Sequence, residues 1–195
     1  MKFSIIMASL LSDYPGSAIA KDKKLIRAIS SVLKQTYANF ELIVVADGCS
    51  LTEFIVNKNF SDKRIKLLRV ERKELWSNIP RNAGIKSAKG KYILYIDNDD
   101  KWGKNHLKII NDQMDNTEDW LYFNDMRWSS TEFIERQIDI TLYGHCGTSN
   151  ICHASRLGLK WERAGYGHDY LFIQQLRKFE GKKINTPEYY VCHEI

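Results

Sequence analysis

Short apolar runs rich in β-branched residues alternate along this chain with segments whose apolar residues recur every three or four positions. Residues 2–8 are rich in Ile and lack the in-out alternation of a half-exposed strand. They predict a buried parallel strand leading into a polar loop that holds Pro15 and Gly16. Over residues 22–34, Leu25, Ala28, Ile29, Val32 and Leu33 form one helical stripe with Lys and Arg opposite, which predicts an amphipathic helix. Residues 40–46 read as a second strand, closed by the turn pair Asp47-Gly48. A short helix is expected within the polar segment 50–63, a third strand at 64–70, and a helix at 77–88 that Gly90 closes. Residues 91–96 form a fourth strand running into Asp97-Asn98-Asp99-Asp100, and 103–114 a helix with Leu107, Ile110 and Met114 on one face. This succession of strand–helix units predicts an α/β fold: a parallel sheet with helices on both faces. Beyond it the pattern loosens into strands at 120–124 and 131–138, a helix at 167–179 and one or two strands in 183–193. With no repeat or linker in its 195 residues, one domain is expected.

Composition narrows this picture in a few ways. No apolar run approaches the ~20 residues that cross a bilayer, and the first residues carry too short an apolar stretch for a secretory signal, so a cytoplasmic address is expected. Cys49, Cys146, Cys152 and Cys192 form no CxxC pair and read as free thiols. The charge of +5 suits an anionic substrate or a lipid headgroup, and no basic stripe interleaved with aromatics points to nucleic acid.

In an open α/β sheet, ligands bind beyond the carboxyl ends of the strands. Asp47 and the cluster Asp97 to Asp100 fall at that rim, and gathered carboxylates raise one another's pKa unless a cation balances them. A hard cation such as Mg²⁺ or Mn²⁺, itself able to hold a diphosphate, is one answer. A plain polar turn that caps the following helix is the other.

Several stretches carry a resemblance that spans nearly the whole chain. They are FSIIM at 3–7, AISSVLKQTY at 28–37, FELIVVADGCS at 40–50, PRNAGI at 80–85 and GKYILYIDNDD at 90–100. In order and spacing the sequence resembles the inverting family 2 glycosyltransferases of the GT-A fold. The resemblance implies a mostly parallel central sheet flanked by helices with a small antiparallel C-terminal part, a nucleotide-sugar half near 1–100 and an acceptor and catalytic half near 101–195. It implies that Asp47 reads the base of a nucleotide-diphosphate sugar, uracil by preference, and that Asp97-Asn98-Asp99 is the family's DxD motif. Asp99 would then be the principal ligand of Mg²⁺ or Mn²⁺, with Asp97 on ribose or metal, and His193 would complete the metal shell. Arg81 and Asn82 match an Arg-Asn pair near the donor, where Arg could meet phosphate. Asp169, opening a helix, would be the general base for the acceptor hydroxyl, and one base on one face implies inversion.

The same residues have plainer readings. Asp47 could form a turn, Asp100 cap a helix, Asp169 favour a helix macrodipole, Arg81 lie on a helix surface and His193 on a terminal segment. The sequence also departs from the family. Ala8-Ser9-Leu10-Leu11 replaces a polar trio after the first strand, leaving Ser9 as the polar donor contact there. Ala46 replaces a frequent acidic residue, and His168 replaces an acidic neighbour of Asp169. The implied acceptor is a saccharide or lipid-linked saccharide of a surface polysaccharide or glycolipid, which would bring the protein to a membrane surface without insertion. Trp120, Trp128 and Trp161 could be sugar-stacking walls or core. The pairs His145-Cys146, Cys152-His153 and Cys192-His193 match no common zinc module. A nucleotidyltransferase would need a Gly-rich phosphate loop that residues 9–17 lack, and a phosphatase built on an Asp nucleophile would carry its DxD after the first strand rather than the fourth. A non-catalytic sugar-binding protein of the same fold is the remaining alternative.

Overall fold

The computed structural model describes residues 1–13, 17–73, 76–114, 117–162, 165, 167–184 and 188–193. Strands β1 (Phe3–Ser9), β2 (Phe40–Asp47), β3 (Ile65–Val70) and β4 (Tyr92–Tyr95) lie side by side and parallel in the order β4-β1-β2-β3. Between them run α1 (Lys21–Leu33), α2 (Ser50–Asn59) and α3 (Asn78–Ser87). All eight residues of β2 are buried, as a strand covered on both faces requires.

Two apolar clusters flank the sheet. Phe3, Ile5 and Met7 pack with Leu25, Ile29 and Val32 of α1, and with Leu107 and Ile110 of α4 (His106–Gln113). Ile6 points the other way, toward Ile93, Tyr95 and Phe172, Ile173 and Leu176 of α5 (His168–Leu176). Helix α3 lies close against β1: a Cβ on Gly84 would stand 2.6 Å from Cγ2 of Ile6. At the rim opposite Asp47 and Asp97, Gly90 meets the backbone of Phe3 and Ser4, and its N–H donates to Ser4 Oγ at 2.8 Å.

The second half of the chain extends this sheet and builds another. Strands β6 (Trp120–Phe123), β9 (Ile151–Ala154) and β10 (Gly181–Ile184) complete a seven-stranded sheet, β10-β6-β9-β4-β1-β2-β3. Only β9 runs against its neighbours, β4 and β6. The four-stranded sheet takes β5 (Lys101–Trp102), β11 (Tyr189–Val191), β7 (Asp125–Trp128) and β8 (Phe133–Arg136), in that order.

Sequence patterning missed β5, β7 and β9, which are two to four residues long and hold polar residues such as Asp125, Arg127 and His153. The expected strand at 131–138 is the shorter β8, and it pairs antiparallel with β7. The four thiols are free and buried, and the His-Cys pairs are dispersed: Cys152 and His153 lie in β9 while Cys192 follows β11. Trp120 and Trp161 are core residues, whereas Trp128 is half-buried on the small sheet.

Candidate active site

The carboxyl ends of β1, β2 and β4 open onto a cavity of about 410 Å³, lined among others by Ser9, Asp47, Trp76, Asp97, Asp99, His168 and His193. Parallel neighbours place Ser9 opposite Ala46, beside Asp47, and β4 delivers Asp97 to the same rim. The fold thus joins two carboxylate positions that lie far apart in sequence.

Each wall has its own means of support. Asp47 is buried, and Gly48 turns the chain at φ +64° while donating to Val70 O at 2.9 Å. Burial raises the pKa of Asp47 and the nearby Arg72 guanidinium partly offsets it. Ser9 faces the cavity but is fully buried, and its hydroxyl accepts Asn98 Nδ2 at 3.2 Å and meets Thr52 Oγ1 at 2.9 Å. It therefore joins the DxD loop to α2.

Asp97 is held from three sides. Its N–H donates to Tyr189 Oη at 3.2 Å, Ser149 Oγ donates to its Oδ2 at 2.8 Å, and Arg81 lies 3.7 Å from its Oδ1. Burial raises its pKa, Arg81 opposes this, and the neighbouring Asp99 adds to the rise. The Asp99 carboxylate meets His193 Nδ1 at 2.7 Å. Basic residues of α1 secure the backbone on both sides of that contact, Arg27 donating to Asp99 O and Lys24 to His193 O at 2.6 Å. Oxygen and imidazole donors side by side suit a cation such as Mn²⁺, with Asp97 close in the same loop. Among the described residues no three His, Cys, Asp or Glu side chains are grouped so as to hold a metal ion by themselves. A cation here would take its remaining ligands from diphosphate oxygens and water.

Asp100 does not cap α4, which starts at His106. Its carboxylate accepts the hydroxyl of Tyr189 at 2.7 Å and the N–H of Cys192 at 2.6 Å. The last Asp of the cluster therefore anchors β11 and, through it, His193.

Asp169 stands in the first turn of α5, and its side chain keeps 32% of its exposure. Oδ1 accepts Thr148 Oγ1, lies 3.7 Å from Arg81 Nη1 and 3.2 Å from His168 Nε2. Among the described residues these contacts all fall on one oxygen, which leaves the lone pairs of Oδ2 for another partner. Burial pushes the Asp169 carboxyl up, but His168, Arg81 and Thr148 outweigh it and hold it below its ordinary value.

Arg81 is not a surface residue. Its side chain is 8% exposed, stacked 4.7 Å from the Trp161 ring and placed between Asp97 and Asp169. Arg81 and Asp169 stand behind the cavity lining, which Asp97 and His168 form, and Asn82 is turned away from it: its Nδ2 donates to Trp161 O and its Oδ1 accepts Trp161 N–H, both at 2.8 Å. It fixes the Trp161 segment under Arg81. Trp76, Thr148 and Ser149 belong to the site as well and carry no sequence motif; loops bring them there, and only the folded chain reveals them.

The sequence matches glycosyl transferase family 2 over residues 20–173. Over 122 residues the chain is 39% identical to an Escherichia coli protein named UDP-Glc:alpha-D-GlcNAc-diphosphoundecaprenol beta-1,3-glucosyltransferase WfgD, covering 62% of this chain and 44% of that one. Over 107 residues it is 38% identical to the putative colanic acid biosynthesis glycosyl transferase WcaA of E. coli strain K12, covering 51% of this chain and 37% of that one. It thus spans less than half the length of both relatives. The fold is that of S. aureus TarS residues 1–349, with TM-score 0.81, 20% identity, 98% of this chain covered and 60% of the other; the same protein is also solved with UDP and with UDP-GlcNAc. The comparisons agree on the GT-A architecture that the strand order displays, and the chain belongs to glycosyl transferase family 2.

Proposed function

We propose that the protein transfers a sugar with inversion from a nucleotide-diphosphate donor, a UDP-sugar, to a hydroxyl of a saccharide or lipid-linked saccharide acceptor in polysaccharide or glycolipid synthesis. The observation that carries this reading is the anchoring of Asp169: three contacts converge on Oδ1, and Oδ2 remains to take a proton. The donor relatives are consistent with it, since WfgD is named for UDP-Glc and TarS is solved with UDP and UDP-GlcNAc.

In this reading the first hundred residues form the donor half of one domain and the rest its acceptor and catalytic half. Asp47 accepts a ring N–H of the base, and Ser9 sets the DxD loop against it. Asp97, Asp99 and His193 would hold Mg²⁺ or Mn²⁺ together with the donor. When bound, the cation neutralises charge that builds on the departing diphosphate. Arg81 supplies a fixed positive charge between the donor and the base, at no reorganisation cost. Asp169 Oδ2 takes the acceptor proton as that oxygen attacks the anomeric carbon from the face opposite the diphosphate. Among the described residues no helix is long and apolar enough to cross a membrane. A lipid-linked acceptor would be met by a cytoplasmic protein at the inner membrane surface.

The test is isothermal titration with UDP, GDP and dTDP, each with and without Mn²⁺, repeated on Asp99→Ala. Metal-dependent binding of UDP that the variant loses is expected. No nucleotide binding by the intact protein overturns the donor assignment. Asp169→Asn should bind UDP as before while turnover falls, and a variant that turns over normally removes Asp169 as the base.

A further inference from the structure

Beyond His193 the donor cavity continues onto one face of the small sheet. Val191 and His193 line both the donor cavity and a neighbouring cavity of about 240 Å³, whose other walls are Arg127, Trp128 and Arg136. Those three in turn line a wider cavity of about 660 Å³ that reaches Ile134 and His145. The three spaces form one cleft with His193 at its waist.

Strand register explains what lines it. Asp125 pairs with Arg136 and Arg127 with Ile134, while Val191 is level with Arg127, so these side chains share one face. Phe133 and Tyr190 take the opposite face, where Lys101 lies over both rings, while Trp128, the last residue of β7, lines the cleft from the strand's end. On the cleft face Asp125 is buried and fully engaged by Arg136 and by Asn150 Nδ2 at 2.9 Å. Its charge is therefore cancelled inside the protein. Arg127 is exposed and has no ion-pair partner among the described residues. The wider cavity has one further carboxylate, Glu135, which accepts the amides of Asn124 at 2.7 Å and Gln137 at 3.0 Å. At the same wall His145 Nδ1 accepts the Asp139 N–H at 3.1 Å, which leaves its Nε2 to bear the proton and donate.

The cleft thus presents an unpaired guanidinium and an imidazole N–H beside apolar Val191 and Ile134, joined to the catalytic cavity. Segment 145–149 connects it to the base: Arg136 reaches His145 O, Thr148 holds Asp169 and Ser149 holds Asp97. We propose that this face is the acceptor subsite and that it recognises a phosphate or diphosphate on the acceptor, with Arg127 as the principal contact. The inference rests on the glycosyltransfer reading above and names the acceptor class. Guanidinium forks suit phosphate oxygens, and an anion set here leaves the adjoining sugar on the side of His193, where the cleft meets the donor cavity.

Titrations with the donor site saturated by UDP test this. The probes are decyl N-acetylglucosaminyl diphosphate, decyl diphosphate without sugar, and neutral decyl N-acetylglucosaminide. Arg127→Ala should weaken both diphosphates about tenfold or more, the loss of one charge-assisted contact. Arg127→Lys, which keeps the charge and loses the fork, should recover part of it, and the neutral glycoside should bind all three proteins alike. Equal UDP affinity in the wild type and both variants verifies that the donor cavity and the fold are intact. Unchanged diphosphate binding in Arg127→Ala overturns the proposal, as does an equal loss for charged and neutral glycosides, which would mark a general packing role. Absence of UDP binding by the wild type would sink the donor assignment instead, and the Arg127 dependence of decyl diphosphate binding would still decide this inference.

Discussion

Arg81 connects two carboxylates, Asp97 and Asp169, to which the proposed function gives different tasks, and its loss should separate them. With the guanidinium gone, Asp169 keeps its burial and loses a cation that lowers its pKa, so the carboxyl moves up. The base acts ionised; the acid limb of the kcat/KM profile of Arg81→Met should therefore shift to higher pH, read from rates followed from pH 7 down to about 3. For Asp169→Asn, kcat should drop by about 10²–10⁴-fold, the usual share of a general base, with donor Kd unchanged. Single-turnover rates and nucleotide titration separate these two effects. At this scale the sequence is informative where a motif exists: Asp47, Asp97 and Asp99 line one cavity, and Arg81 lies between Asp97 and Asp169. It misleads at Asn82 and Asp100, since an amide or a carboxylate in a motif gives no sign of whether it faces a ligand or a backbone. Thr148 and Ser149 leave no trace in the sequence, because a hydroxyl in a loop looks the same wherever that loop goes.

Strands β1 and β2 are legible because burial on two faces demands long β-branched runs, and helix α1 because it shows a single apolar stripe. In the second half, two- to four-residue strands hold too few positions to display a period. Strand β9 is the instructive case: Ile151, Cys152, His153 and Ala154 are all buried, yet a His and a Cys break the apolar run. Close approach between elements gives a sharper prediction. A methyl at Gly90 would stand 2.5 Å from Ser4 N and 2.6 Å from Phe3 C, both backbone atoms, so Gly90→Ala should destabilise by about 1–3 kcal/mol or more in urea unfolding. Helix α1 acts at a distance through its basic face. Arg27→Ala removes a donor to Asp99 O and Cys192 O and should weaken Mn²⁺ binding at the UDP-bound site by about tenfold, as loss of an outer support does for metal sites. Metal titration at fixed UDP provides the measurement.

For the whole molecule, acid sensitivity follows from two histidines the fold keeps neutral. Burial lowers the pKa of His106 to about 3 and of His153 to about 4. In the unfolded chain both titrate near ~6.5, so below that pH the unfolded state binds protons that the folded state refuses. Stability contributed above pH ~6.5 is then lost as pH falls toward 4, with a slope approaching ~1.4 kcal/mol per pH unit for each histidine. Urea midpoints at pH 7 and 5 should show this fall, and His106→Phe, set among Trp102 and Phe123, should make it shallower. Whole-molecule architecture was the part of the fold most open to sequence reading, because the order of strand and helix units constrains a parallel sheet strongly. The small sheet was not, since its strands come from four separate stretches.

That dispersal shapes how the site is assembled in time. The Asp99–His193 contact spans 94 residues of chain, and Lys24 meets the His193 carbonyl across 169. A polypeptide emerging from the ribosome lays down β1 to β4 and the DxD loop while the strand that will close over them is still unmade. Closure must draw a distant segment across a loop of that length, a step whose entropy slows folding of such topologies. Nucleotide affinity in a stalled nascent chain should therefore rise late, when β11 comes free, and lag behind the burial of the first core.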